Sequence, residues 1–388
     1  MSAAIRRLRV LIVEPAGQMW GSEQALLDLL LHLDYTRFDV TVACPNGSPF
    51  LQRARARNVR TLTVPIALLH VRGRWARLLA FVALVVLMLR VRPRVVHVNQ
   101  AGIVRLVALA SRIVNASVLC HVRLLEDARR IRTRVTSRPL ARQFVAVSQS
   151  VVHELTGGAS ERADDIECVY DPFDAPAFST PGAVTSSADI RAQFGIPESA
   201  RVVTLAGRVC ENKRQDLLIE AALRGHNEIF YLIVGGDPPI PKGQRAFRDV
   251  LIQRTRDAGL EDRVIFTGMR SDVAALMSAS DLIVLTSEEE AFGRVLLEGL
   301  ALGKHIVAPA AGGPAEIIGE DERGLGFRQG DADSLARAIH RTLADEGQAK
   351  VRTERGAEWV AMISSPRHHA DEMMRLYDRL GKPCVAHR

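Results

Sequence analysis

Cysteine is sparse and scattered: five residues, at 44, 120, 168, 210 and 384, with no CxxC pair and no Cys/His cluster at metal-ligand spacing. That argues against a disulfide framework and against a zinc site. No GxGxxG follows the first strand-like run, so a Rossmann oxidoreductase is poorly supported, and no GKS or GKT follows a glycine-rich loop, which removes the P-loop nucleotidases. Aromatic residues make up only 5 % of the chain. Lysine is absent from the first 175 residues, where 24 arginines stand against 14 acidic residues. That half therefore carries +10 of a formal net charge of +7, and the remainder is slightly acidic. The asymmetry suggests that the first half meets an anionic partner. A genome biased towards arginine would produce the same count.

What is present is an ordinary globular composition, 47 % hydrophobic and 24 % charged over 388 residues. A disordered or fibrous chain is excluded, and the length suits two or three domains. The first strand-like run, from Leu8, follows only a few basic residues, with no apolar leader and no small-residue cleavage site. The expectation is a cytoplasmic protein, peripheral on the inner membrane face if the basic half contacts lipid.

Short apolar runs alternate with helical patterns: residues 8–13, 38–44, 59–64, 94–98, 117–122 and 144–148, with helices over 22–33 and 102–113 between them. Continuous apolar strands separated by helices predict a parallel sheet covered on both faces. A stretch rich in Pro, Gly, Ser and Asp at 171–189 interrupts the rhythm and reads as a linker. Strand-like runs then resume at 201–207, 228–236, 263–268, 281–287 and 304–310. The prediction is an α/β protein of two doubly wound, Rossmann-like domains facing a cleft. The domains would span 1–175 and 189–362, joined by a linker at 176–188. A last helix within 363–388 would pack back on the first domain.

Residues 78–89 are twelve consecutive apolar residues bracketed by arginines and Trp75. As a helix of about 18 Å this segment cannot cross roughly 30 Å of hydrocarbon. Being apolar all round, it is most simply a helix buried against the sheet; contact with a membrane surface is the alternative. Arg129, Arg130, Arg132, Arg134, Arg138 and Arg142 form a run without acids. Such a run is a solvated face or a contact with a phosphate-bearing acceptor or anionic lipid. Nucleic acid is disfavoured because interleaved aromatics are missing. Asp331 and Asp333 resemble a metal motif but precede a helix pattern, where aspartate is a cap. No metal site is predicted.

The most informative segment is Asp281–Pro309. A buried strand ends in an acidic loop, Phe292-Gly293 opens a helix, and Glu290 and Glu298 stand eight residues apart. Between the carboxylates lies a helix N-terminus, which attracts anions. A ligand with hydroxyls at both ends and phosphates between them matches this: a nucleotide diphosphate sugar. Arg208 and Lys213 follow the first strand of the second half at its carboxyl end, where open α/β sheets bind ligands, and two cations there would neutralise a diphosphate. A Gly-Gly turn at 312–313 precedes Glu316 near the start of a short helix.

ExFGxxxxE at 290–298, the upstream GRxxxxK at 207–213, the FTG and SDLIVL stretches and GGPAEI, in this order, resemble the retaining glycosyltransferases of the GT-B fold, family 4. The resemblance runs from about 201 to 345 and continues in the first half through GQMWGSEQALLDL and VLCHV. It implies that Glu290 holds donor-sugar hydroxyls, Glu298 the ribose, and Arg208 and Lys213 the diphosphate. Phe292 and Gly293 would add main-chain amides, and Glu316 would lie nearby. Gly17 and Gly21 would let the backbone approach donor or acceptor closely, and His121 would sit beside the transferred sugar, unless it is a core histidine at a strand end. The implied reaction is metal-independent transfer of a sugar with retention from a UDP- or GDP-linked donor, without a further cofactor. The acceptor would be a glycan or lipid-linked molecule in cell-surface polysaccharide or glycolipid synthesis. The alternatives are a non-catalytic nucleotide-sugar-binding partner at the membrane and a same-fold sugar isomerase or phosphorylase.

Overall fold

The computed structural model describes residues 7–65, 73–132, 140–157, 165–179, 186–225, 228–237 and 246–382. The chain divides into two compact units: residues 1–173 with 364–388, and residues 174–363.

The first unit is built on seven strands: β1 (Leu8–Val13), β2 (Phe38–Cys44), β3 (Thr61–Thr63), β4 (Val95–Val98), β5 (Ser117–Val122), β6 (Gln143–Ala146) and β7 (Ile166–Cys168). Their order is β3-β2-β1-β4-β5-β6-β7, and every pairing is parallel. Helices cover both faces, so β1 is apolar at successive positions from Val10 to Val13 rather than at alternate ones, and all four are buried. The C-terminal helix, Pro366–Gly381, belongs to this unit and packs on β1, β4, β5 and the helix Gly21–His32. Met373, Tyr377 and Leu380 share a core with Val10, Leu26 and Phe38. Ser365 caps that helix by accepting from the His368 amide, and Pro366 occupies the first turn, where its missing N–H costs nothing.

The second unit has six parallel strands: β8 (Arg201–Ala206), β9 (Ile229–Val234), β10 (Val264–Gly268), β11 (Leu282–Val284), β12 (His305–Pro309) and β13 (Leu325–Phe327). The order is β10-β9-β8-β11-β12-β13. Both sheets reverse direction of winding once, between β1 and β4 and between β8 and β11. At such a switch point the loops leaving the two central strands diverge to opposite faces and open a crevice at the carboxyl edge.

Three sequence expectations change. The stretch read as a linker at 176–188 is partly helical, with Ala175–Ser179 packed on the helix Arg294–Ala301 and Ser187–Gln193 capped by Ser186; residues 180–185 lie outside the described residues. Pro176 is compatible with helix because it falls in a first turn. The boundary between units accordingly lies at 173/174, two residues before the expected one. β7 escapes a periodicity reading because it is three residues long with a charge at its centre. Glu167 is held there by Arg375 and Arg379 of the C-terminal helix.

The third change concerns residues 78–89. They lie within the helix Arg74–Val91, which buries Ala80, Leu84, Leu87 and Met88 but leaves Leu78, Leu79, Val82, Val86 and Leu89 substantially exposed. Uniform apolarity reads as all-round burial, but only one side of this helix is covered, by the helix Val104–Ile113 and β1. No helix among the described residues is long and apolar enough to cross a membrane.

Candidate functional site

In the second unit the predicted residues converge on the switch point. β8 ends at Ala206, and Gly207 and Arg208 follow; a one-turn helix, Glu211–Lys213, then delivers Lys213. β11 ends at Val284, and the loop behind it carries Glu290. The two loops meet: Lys213 Nζ donates to Glu290 Oε2 at 2.5 Å, and Ser287 Oγ donates to the same oxygen at 3.1 Å. Both charged side chains are about one-fifth exposed, 22 % for Lys213 and 18 % for Glu290. They are shielded enough for the pair to be geometrically fixed and open enough for a ligand to reach it.

The latch that holds this pair was not legible in the sequence. Asn212 Nδ2 donates to the Glu289 carbonyl and Asn212 Oδ1 accepts from the Glu289 amide, each at 3.1 Å. The Glu288 amide donates to the Asn212 carbonyl at 2.9 Å, and Thr286 Oγ1 to the Lys213 carbonyl at 2.6 Å. Four hydrogen bonds therefore staple the Arg208–Lys213 loop to the acidic loop. The backbone of Arg208 is itself held, its carbonyl accepting from the buried Gln215 side chain at 2.8 Å. The only signal for Asn212 was its place beside Lys213.

Phe292 is buried, and Gly293 caps the helix Arg294–Ala301 with φ 104°. Glu290 therefore belongs to the loop, and only the second half of the Glu290–Glu298 interval is helical. The left-handed glycine sets the helix start at Arg294. Glu298 lies at the fifth helical position, with Arg294 Nε at 3.7 Å. Burial pushes its carboxyl above the ordinary range, with Arg294 pulling the other way.

Gly313 supports the loop from behind. A Cβ there would stand 2.2 Å from the Ala291 carbonyl oxygen and 2.5 Å from the Phe292 Cα, and its amide donates to the Glu290 carbonyl at 3.2 Å. Only a glycine permits this backbone-to-backbone approach. Glu316 sits three residues further along the helix Gly312–Ile318, with its carbonyl accepting from Arg323. Asp331 caps the helix Ala332–Ala344 by accepting from the Ser334 amide at 2.9 Å, and Asp333 pairs with Arg224.

The first unit has its own polar cluster at its switch point, largely missed in the sequence. Glu14, just beyond β1, is completely buried and accepts from Asn99 at 2.6 Å, from Gln100 at 3.2 Å and from the Ala16 and Gly17 amides. Burial, with Glu23 adding like-charge repulsion, pushes its carboxyl up to about 7 against these hydrogen bonds. Arg123 extends the chain: it donates to Asn99 Oδ1 at 3.2 Å and pairs with Asp171. Charged or amide residues immediately after β1, β4 and β5 were the available signal.

His121 lies within this unit with no exposed surface. Its ring stacks between those of His97, 5.7 Å away, and His369, 6.1 Å away. Arg123 donates to its Nδ1 at 3.3 Å, which places the proton on Nε2, 3.9 Å from Asp171. This complete burial is what a core histidine at a strand end shows; a place beside a transferred sugar is the other expectation for this ring. Gly17 faces Ser48, whose Cβ a substituent would meet at 2.6 Å, so its left-handed turn (φ 65°) answers local packing. Gly21 is exposed and opens the helix Gly21–His32.

The described part of the arginine run is paired locally. Arg129 and Arg132 meet Glu154, and Arg130 meets Glu126. Arg142 Nη1 donates to Ser117 Oγ. Arg134 and Arg138 lie outside the described residues.

Two family models match the chain along most of its length: glycosyltransferase family 4 over residues 20–175 and glycosyl transferases group 1 over residues 186–359. The chain is 32 % identical over 221 residues to the lipopolysaccharide core biosynthesis glycosyltransferase LpsE of Rhizobium meliloti, covering 57 % of this chain and 62 % of LpsE. It is 29 % identical over 217 residues to N-acetyl-alpha-D-glucosaminyl L-malate synthase of Bacillus anthracis, covering 55 % and 54 % of the two chains. The matches thus span little more than half of these relatives. Among solved structures, HepE of Anabaena in complex with UDP and glucose superposes with a TM-score of 0.80 at 21 % identity, covering 96 % of this chain and all of that one. The fold is GT-B. The chain belongs to the family 4 glycosyltransferases.

Proposed function

We propose that this protein transfers a glycosyl group, with retention and without a metal, from a nucleotide diphosphate sugar to a glycan or lipid-linked acceptor in the synthesis of a cell-surface polysaccharide or glycolipid. The observation that carries the reading is the Lys213–Glu290 pair, fixed by Asn212 at the carboxyl ends of the two strands flanking the second switch point. A diphosphate entering there competes with Glu290 for the Lys213 ammonium. The carboxylate so released accepts hydrogen bonds from sugar hydroxyls, while Arg208 adds a second cation. Retention requires the new bond to form on the face from which the diphosphate departs. The departing oxygen is then the group best placed to take the acceptor's proton, and the protein's main task is to stabilise its charge. The Lys213 ammonium, held in place, and the Arg208 guanidinium would supply that stabilisation without a metal.

Glu298, farther along the helix, suits the ribose. HepE was solved with UDP, which favours a uridine donor over a guanosine one, and LpsE acts in lipopolysaccharide core synthesis, which favours a glycolipid acceptor. The test is a donor panel of UDP-, GDP- and ADP-sugars, with release of the nucleoside diphosphate followed with and without acceptor. Lys213→Ala should lose about 100- to 1,000-fold in kcat, the effect of one preorganised charge contact. Activity within about threefold of the parent, or turnover indifferent to acceptor, would overturn the proposal, and chelator should change little.

A further inference from the structure

We infer that the helix Arg74–Val91 is a docking surface for an anionic lipid bilayer, lying flat in the headgroup region of the membrane. This goes beyond the donor chemistry and does not depend on it.

The helix is apolar on two opposite sides, and the fold uses only one. Ala80, Leu84, Leu87 and Met88 are buried, whereas Trp75, Leu78, Leu79, Val82, Val86 and Leu89 are between 43 % (Val86) and 79 % (Trp75) exposed. Relative to Trp75, the exposed residues fall at steps of 3, 4, 7, 11 and 14. At 100° per residue that is a single stripe about 100° wide and about 21 Å long. A surface helix of a soluble domain normally turns polar residues to water. Here the outward face has six large apolar side chains in line and no polar residue among them. The adjoining helix, Val104–Ile113, also leaves Leu109 and Ile113 more than half exposed.

Charge decides the occupant. From Val40 to Leu125 the sequence contains thirteen arginines and no lysine, aspartate or glutamate. Arg77, Arg90, Arg92 and Arg94, at the two ends of the helix, are all exposed. A second copy of the chain docking on this face would set arginines against arginines with no acid to pair them. An anionic bilayer accepts both features at once. The stripe enters the acyl boundary by 5–10 Å or so, as in-plane helices do, and the flanking guanidiniums stay at phosphate level, where their bidentate donors match phosphate oxygens. Trp75 at the start of the stripe is the residue type favoured at that interface.

The experiment uses the full chain and vesicles of phosphatidylcholine with or without phosphatidylglycerol. The protein should sediment with the anionic vesicles and several-fold less with the neutral ones, and high salt should release it, because the attraction is screened. Leu79→Gln with Val86→Gln should lower the vesicle partition coefficient at least about tenfold while leaving the melting temperature unchanged, since both sites already face water. In a Trp20→Phe, Trp359→Phe background, the remaining Trp75 emission should shift to the blue on addition of anionic vesicles, a readout that needs no substitution in the stripe. Equal recovery in the supernatant under all conditions with no Trp75 shift would overturn the inference. So would a concentration-dependent dimer in solution that the two glutamines abolish.

Discussion

Three buried imidazoles in a row make the first unit sensitive to acid in a way the structure allows to be calculated. His97, His121 and His369 have no or almost no exposed surface. Burial, helped by the Arg123 guanidinium, holds His97 and His369 down to about 3 and His121 well below its ordinary value. In the unfolded chain each ring titrates near 6.5. The stability of the neutral rings is fully present above that value and is lost as pH falls towards 3, because below 6.5 the unfolded state binds protons that the folded state refuses. Each pH unit costs about 1.36 kcal/mol per ring, so moving from pH 8 to pH 5 costs about 2 kcal/mol for each of His97 and His369, and His121 adds a loss of the same sign.

Glu14 works in the opposite sense. Its carboxyl, raised to about 7, binds a proton in the folded state before the unfolded one does. It therefore gains stability as pH falls from about 7 towards 4.5, offsetting about 2–3 kcal/mol at pH 5. A net loss of about 1–2 kcal/mol remains, to which His121 adds in the same direction, against a typical total of about 5–15 kcal/mol. The assay is urea unfolding at pH 8 and pH 5 in a Trp359→Phe variant, which leaves only Trp20 and Trp75, both in the first unit, as reporters. The midpoint should drop at pH 5, and His369→Gln should recover about 2 kcal/mol of the difference. An unchanged midpoint, or native imidazole resonances titrating near 6.5, would refute the reasoning.

Other outcomes follow from the second unit. Glu298→Gln should mainly raise the donor KM, since ribose hydroxyls interact alike in ground and transition states, whereas Glu290→Gln should mainly depress kcat; steady-state kinetics with saturating acceptor separate them, and the reverse pattern would exchange the two roles. Gly313→Ala forces a methyl into the backbone of Ala291 and Phe292 and should cost about 1–3 kcal/mol of stability together with weaker donor binding, measured by thermal melting and calorimetry. Unchanged melting would mean that the loop yields. Asn212→Ala removes two hydrogen bonds that position Glu290 and should lower kcat/KM about tenfold with little change in melting.

The sequence alone determined the two α/β units and their parallel sheets, because a strand covered on both faces must be apolar at every position, as from Val10 to Val13. It also placed Arg208, Lys213, Glu290 and Glu298, because the end of a strand and the start of a helix leave local marks in turn and glycine residues. Tertiary structure decided what depends on contacts between distant segments. The staple between Asn212 and Glu289 joins loops 77 residues apart. The row of His97, His121 and His369 is assembled from two strands and the C-terminal helix, and Glu14 is caught between Asn99 and Gln100. Local pattern carries no record of such pairings, since the same residues in solvent would read as ordinary polar positions. The apolar segment at 78–89 shows the same limit from the other side: hydrophobicity sets how much surface a helix would hide, and only the packed fold decides how much of it has something to hide against.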